Sequence, residues 1–227
     1  SQSTSERYLD GTIAISPIRI KPLLMQAQLD QFFPIPLFVA DIEHTEELNH
    51  ELQLRFTKLA EAHPEGSSGN WGGIANVYAS FAVDSQLHRQ PFMQSLLKRV
   101  QPEMKQFSQM VELDTAQAEL SIAESWFNIS SYGSFQEYHS HAGIGPFCAV
   151  YYVSVPEDSG NTVFRASFPA MRPYYRCTNP NNPFYRYRKT VLSRPGRFVI
   201  FPSWLEHCVT QSQSQQQRIT IAFNLKH

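Results

Sequence analysis

After Ala118 the chain breaks into short runs rich in β-branched and aromatic residues: LSIAESWFNIS, FQEYHSH, CAVYYVSV, NTVF, RFVIF and RITIAFNL, with Gly, Pro, Asn and Ser between them. Such runs read as strands, and no helical stripe separates them. Parallel neighbours need long crossover connections, so this half is expected to be a sandwich or barrel of antiparallel strands.

The first half reads differently. Leu48, Leu52, Phe56 and Leu59 recur at the spacing of one helix face, predicting a helix from Thr45, a candidate N-cap, to about Ala62. Met93, Leu97, Val100, Met104, Phe107 and Val111 predict a second helix from Pro91 to about Leu113, which Pro102 should kink or split. HPEGSSGNWGG, between them, reads as a loop. The predicted architecture is mainly β: residues 1–118 form a helical and strand support region, residues 119–227 form the β core, and both belong to one compact domain.

No stretch approaches the roughly 18 to 20 apolar residues needed to span a bilayer, and no basic stretch followed by an apolar one marks secretion at the N-terminus. Three cysteines, Cys148, Cys177 and Cys208, without CxxC spacing argue against a disulfide framework or a zinc knuckle. A soluble protein in a reducing, cytoplasmic setting is expected. Charge is divided unevenly. Residues 1–160 carry 9 Lys and Arg against 19 Asp and Glu, whereas residues 161–227 carry 10 against Glu206 alone. Arg165, Arg172, Arg176, Arg186 and Arg188 lie among Tyr and Phe in a stretch without acids. They read either as a substrate-binding segment for an anionic group or as a solvated loop paired with the acidic half. The whole-chain charge of −1 gives no footprint for nucleic acid.

In FQEYHSH, strand alternation puts Glu137, His139 and His141 on one face, the two imidazoles about 7 Å apart along the strand. A lone histidine near a strand end is more often structural. Two on one face of one short strand are hard to explain by packing, although HxH also occurs on surfaces. A third, His207, follows the apolar run RFVIF. If Gln211–Gln217 closes a symmetric hairpin, His207 lies opposite Arg218, and Arg218, Thr220, Ala222 and Asn224 share its face. A buried Arg calls for a carboxylate. Glu206, adjacent to His207, points the other way.

These motifs, with VYYVSVPEDSGNTVF and RPGRFVIFPSWLEHCV, resemble the iron(II)- and 2-oxoglutarate-dependent oxygenases, in particular a branch in which FFPIPLF-like and SSGNWGG-like segments recur. The resemblance covers most of residues 32–225. It implies a double-stranded β-helix, or jelly roll, and an Fe(II) dioxygenase that uses 2-oxoglutarate and O2, most simply to hydroxylate an unactivated C–H bond of a small-molecule or peptide substrate. By resemblance, His139 and His207 match the iron-binding histidines, Arg218 matches the arginine that pairs with the distal carboxylate of 2-oxoglutarate, and Thr220 matches its accompanying hydroxyl. Asn128 and Tyr132 would line the co-substrate pocket.

One position departs from the superfamily pattern. His141 stands where that pattern has Asp or Glu, so the site would hold three histidines, or take a carboxylate from Glu137, or stay open at that position. Reading His141-Ala142-Gly143 as the His-x-Gly of halogenases is a further alternative. Others are a three-histidine dioxygenase that needs no keto acid, against which Arg218 and Thr220 argue, and a non-catalytic jelly roll that binds a ligand or protein. Trp126, Tyr151, Tyr152, Phe198, Phe201 and Trp204 are candidate pocket walls, and Cys208 reads as a core residue.

Overall fold

Alternation along the last strand sets out the architecture. Ile219, Ile221, Phe223 and Leu225 are buried against the helices, while Arg218, Thr220, Ala222 and Asn224 turn to the opposite side of the sheet. The computed structural model describes residues 34–66, 74–116, 118–165, 179 and 186–227. Its strands are β1 (Phe38–Asp41), β2 (Ile74–Ala79), β3 (Ser121–His139), β4 (Phe147–Ser154), β5 (Thr162–Arg165), β6 (Arg188–Val191), β7 (Arg197–Pro202), β8 (His207–Val209) and β9 (Arg218–Lys226). Two α-helices, α1 (Glu46–Ala62) and α2 (Gln94–Met110), precede β3.

Every ladder between these strands is antiparallel, in the order β1-β7-β4-β9-β3-β8-β5-β6, with β2 also on β3. The sheet curls because β3, 19 residues long, pairs with β9 from Ser121 to Ser130 and with β8 from Gln136 to His139. The result is a jelly roll with helices on one outer face. LSIAESWFNIS and FQEYHSH, read separately in the sequence, are thus one strand. Gly133, at φ +73°, makes the bend without ending the pairing. Its N–H donates to Ser212 O (2.9 Å), and Ser134 O accepts from Ser212 N–H (2.8 Å).

The main core lies between helices and sheet. Leu52 and Phe56 of α1 and Leu96, Leu97, Val100, Met104 and Phe107 of α2 pack with Phe127, Ile129, Tyr151, Val153, Phe198 and Ile200. Phe56 stacks on Phe127 with centroids 4.4 Å apart. Helix α2 continues unbroken through Pro102, so the expected split does not occur. An interior Pro costs about 3 kcal/mol. Buried side chains on both sides of Pro102 each contribute about 1.5 to 3 kcal/mol, which outweighs it. Thr45 precedes α1 but makes no side-chain cap. Its Oγ1 accepts instead from Asn49 Nδ2 (3.2 Å), and Asn49 Oδ1 accepts from the Tyr151 hydroxyl (2.7 Å). Among the described residues no helix is long and apolar enough to cross a membrane.

Candidate active site

The register of β4, β9 and β3 lines side chains into rows on the side away from the helices. One row is Cys148, Asn224 and Glu124; the next is Val150, Ala222 and Trp126; the third is Tyr152, Thr220 and Asn128; and Arg218 then pairs with Ser130. Most of these residues border a cavity of about 70 Å³, with Gln136, His139, His141, His207, Val209 and Phe201 on its other walls.

The histidines reach the cavity by two routes. His139 and His207 are direct partners between β3 and β8. His141 lies just past the end of β3, where its N–H donates to Ser203 O (2.8 Å) and its ring stacks on Trp126 (centroids 6.0 Å apart). Each ring offers one nitrogen, and these lie within 4.8 Å of one another. The Nδ1 atoms are engaged: His139 with Glu137 O (2.8 Å), His207 with Leu205 O (3.0 Å) and His141 with Asn224 Oδ1 (3.0 Å). These oxygens can only accept, so each Nδ1 carries the hydrogen and each Nε2 keeps its lone pair. Burial lowers the pKa of all three, that of His207 to about 3, so the rings are neutral near pH 7.

Glu137 does not join them. A bulge between Gln136 and His139 resets the alternation, so Gln136, opposite Val209, faces the cavity while Glu137 is exposed. The geometry therefore favours three histidines over a histidine and carboxylate set, with Glu137 contributing only its carbonyl.

The hairpin expected between β8 and β9 is not formed: β8 pairs with β3 and β5, and β9 with β3 and β4. His207 and Arg218 nevertheless border the same cavity, because both strands flank β3. Arg218 is 3% exposed, and its Nε has no hydrogen-bond partner. Burial lowers its pKa, and Tyr152, whose ring lies 5.3 Å from Cζ, opposes that. Tyr152 and Thr162 share a hydrogen bond of 2.7 Å beside it. Glu206, on the other face, makes a two-pronged ion pair with Arg165 (3.0 and 3.2 Å).

Other expected site residues separate. Asn128 borders the cavity beside Thr220, whereas Tyr132 is 52% exposed and does not. Arg165 is taken up by Glu206 and lies 3.8 Å over the Tyr138 ring. Arg186 and Arg188 do not border the cavity, and Arg172, Arg176 and Cys177 lie outside the described residues. Of the candidate walls, Trp126 and Phe201 line it, Tyr151 and Phe198 belong to the helix-side core, and Trp204 is 46% exposed. Gln136 and Glu124 were missed. The bulge hides the first from pattern reading, but Glu124 is legible as the extension of the inward face Trp126, Asn128 and Ser130.

Three neutral imidazoles with lone pairs turned to one region are a ligand set for a divalent transition metal, and a buried guanidinium whose Nε has no partner is a receptor for a carboxylate. Both suit an iron and keto-acid centre. A family model described as "Putative 2OG-Fe(II) oxygenase" matches residues 124–224. No curated protein matches the chain in sequence. The fold is similar to a prolyl-4-hydroxylase from Pseudomonas putida (13% identity, 85% of this chain and 94% of that chain covered, TM-score 0.56). It is also similar to HygX from Streptomyces hygroscopicus, solved with nickel and 2-oxoglutarate (11% identity, 85% and 83% covered, TM-score 0.54). A third similar fold is the non-heme alpha ketoglutarate dependent carbocyclase SnoK from nogalamycin biosynthesis (15% identity, 84% and 79% covered, TM-score 0.57). At such identities the likeness concerns the fold. The stretch that builds the cavity, residues 124–224, matches a 2OG-Fe(II) oxygenase domain, for which iron(II) and 2-oxoglutarate are the cofactor and co-substrate.

Proposed function

We propose that His139, His141 and His207 hold the iron, that Arg218 and Thr220 hold the distal carboxylate of 2-oxoglutarate, and that the enzyme hydroxylates an unactivated C–H bond. The observation that carries this reading is the juxtaposition, in one cavity, of three Nε2 lone pairs and a buried Arg218 that no carboxylate among the described residues neutralises. Iron, 2-oxoglutarate and O2 supply the oxidising power, one oxygen atom going to succinate as CO2 is released and the other to the substrate.

The chain's own residues bind, orient and exclude water. Arg218 makes two parallel charge-assisted bonds in a dry pocket, which fixes one end of the keto acid. Asn128, on the strand position opposite Thr220, offers an amide to the same molecule. Trp126 and Phe201 exclude water beside the histidines. Residues 119–227 form the catalytic core in this reading, and the preceding residues support it. A prolyl hydroxylase and a carbocyclase share the scaffold, so small-molecule and peptide substrates both suit it. The remaining cations of the basic segment, Arg172, Arg176, Arg186 and Arg188, would favour a substrate with an anionic group. Free thiols at Cys148 and Cys208 suit a reducing, cytoplasmic setting.

The test is to load the protein anaerobically with Fe(II), measure 2-oxoglutarate binding, then admit O2 and quantify succinate. Iron-dependent succinate formation is expected even without primary substrate. Absence of 2-oxoglutarate binding by iron-loaded protein would overturn the reading. Substrate oxidation without a keto acid would favour the alternative of a three-histidine dioxygenase, which the lack of a carboxylate in the cluster makes the second choice.

A further inference from the structure

We infer that Glu124 and Asn224 are positioning residues for His141, and that Glu124 provides, from behind the histidine, the carboxylate that the ligand set lacks; this rests on the metal centre proposed above. His139 and His207 lean on backbone carbonyls, which cannot turn over. His141 alone leans on a side chain. Its Nδ1 donates to Asn224 Oδ1 (3.0 Å), and Asn224 Nδ2 donates to Glu124 Oε2 (2.7 Å). Glu124 and Asn224 are direct cross-strand partners on β3 and β9, so the pairing follows from register.

An amide has two faces, and the wrong one would disable the site. With its NH2 toward His141, Asn224 would force Nδ1 to accept, moving the ring hydrogen to Nε2 and removing the lone pair. Glu124 prevents this, since a carboxylate accepts from Nδ2 and holds Oδ1 toward the histidine. Cys148 agrees: its thiol donates to the same Oδ1 (3.4 Å). The chain from carboxylate through amide to imidazole thus selects the tautomer that binds metal. It also brings a negative group toward a centre whose lining, among the described residues, includes Arg218 and no acid.

Two measurements on the full chain test this. Nitrogen-15 NMR of the metal-free protein should show His141 as the Nδ1–H tautomer, and Glu124→Ala should shift it toward Nε2–H while His139 and His207 stay unchanged. Titration with Co(II), followed by calorimetry and by the visible spectrum, should show affinity falling about tenfold to a hundredfold in Glu124→Ala. Glu124→Gln, whose amide offers either an oxygen or a nitrogen to Asn224, should move both readouts less and in the same direction, and it serves if the alanine variant does not fold. In a His141→Ala background, Glu124→Ala should cost nothing more. An unchanged His141 tautomer, an unchanged Co(II) affinity, or an equal loss in the His141→Ala background would each overturn the inference while leaving the metal site intact. A wild-type protein that binds no Co(II) would overturn the metal centre itself, and this inference with it.

Discussion

His207 and Arg218 border one cavity although the strands that carry them share no hydrogen bond. Strand β3 mediates between them: Ser130 pairs with Arg218, and His139, beyond the bend at Gly133, pairs with His207. The proposed metal end and carboxylate end of the site are therefore held apart by one continuous strand, which makes their contributions separable.

Replacing His207 by Ala removes a buried imidazole from the proposed ligand set and should abolish iron binding, or reduce it to a level at which no succinate forms. Metal analysis of the purified variant checks this; iron retained at wild-type stoichiometry with full turnover would remove His207 from the site.

Arg218→Lys should weaken 2-oxoglutarate binding at least tenfold, about 1.4 kcal/mol, because an ammonium cannot make the paired bonds of a guanidinium. Thr220→Val should cost less, with one hydroxyl lost. Anaerobic calorimetry on iron-loaded protein measures both, and equal losses would mean that Arg218 has no special part.

Acid should destabilise the metal-free protein. Burial lowers the pKa of His139 and His141, and takes His207 from 6.5 to about 3, so the unfolded chain binds more protons than the folded one in that window. Stability is therefore fully present above about pH 6.5 and is lost as pH falls toward about 3, by at most about 1.4 kcal/mol per pH unit for each histidine. Urea unfolding at pH 7.5 and 5.5 gives the slope; a flat profile would show that the rings protonate without penalty in the fold.

Neutralising Arg172, Arg176, Arg186 and Arg188 should spare uncoupled 2-oxoglutarate turnover, since Arg186 and Arg188 lie away from the cavity, and should harm only coupled product formation. Succinate formed without primary substrate is the readout. A loss as deep as that of Arg218→Lys would show that this segment organises the co-substrate end.

Phe56→Ala removes a ring stacked on Phe127 and edge-on to Phe92 in the fully buried helix-side core. A loss of about 3 to 5 kcal/mol is expected from denaturant unfolding. A loss below about 1 kcal/mol, the range of an ordinary surface change, would show that the helices are not anchored there.

The local alternation of the chain determined a great deal. Period-two patterning on β9 separates the helix-packing residues from Arg218, Thr220 and Asn224, and the α1 and α2 stripes are legible because burial selects apolar residues at fixed spacing. The HxH pair and His207 likewise stand out by residue type and strand context. What sequence could not decide is pairing between distant strands and the places where alternation slips. Gln136 replaces Glu137 at the cavity because of a bulge on β3, which is fixed by pairing with the distant strands β2 and β8. The hairpin joining His207 to Arg218 was inferred from chain proximity, yet the backbone groups of β8 and β9 find their partners on β3, β4 and β5. Arg165, expected to reach substrate, is held by Glu206, a pairing set by the ladder of β5 on β8. The bond from Glu124 to Asn224 depends on register across 100 residues. Hydrogen bonds between strands far apart in sequence are settled by the closing of the whole sheet, which no local pattern encodes.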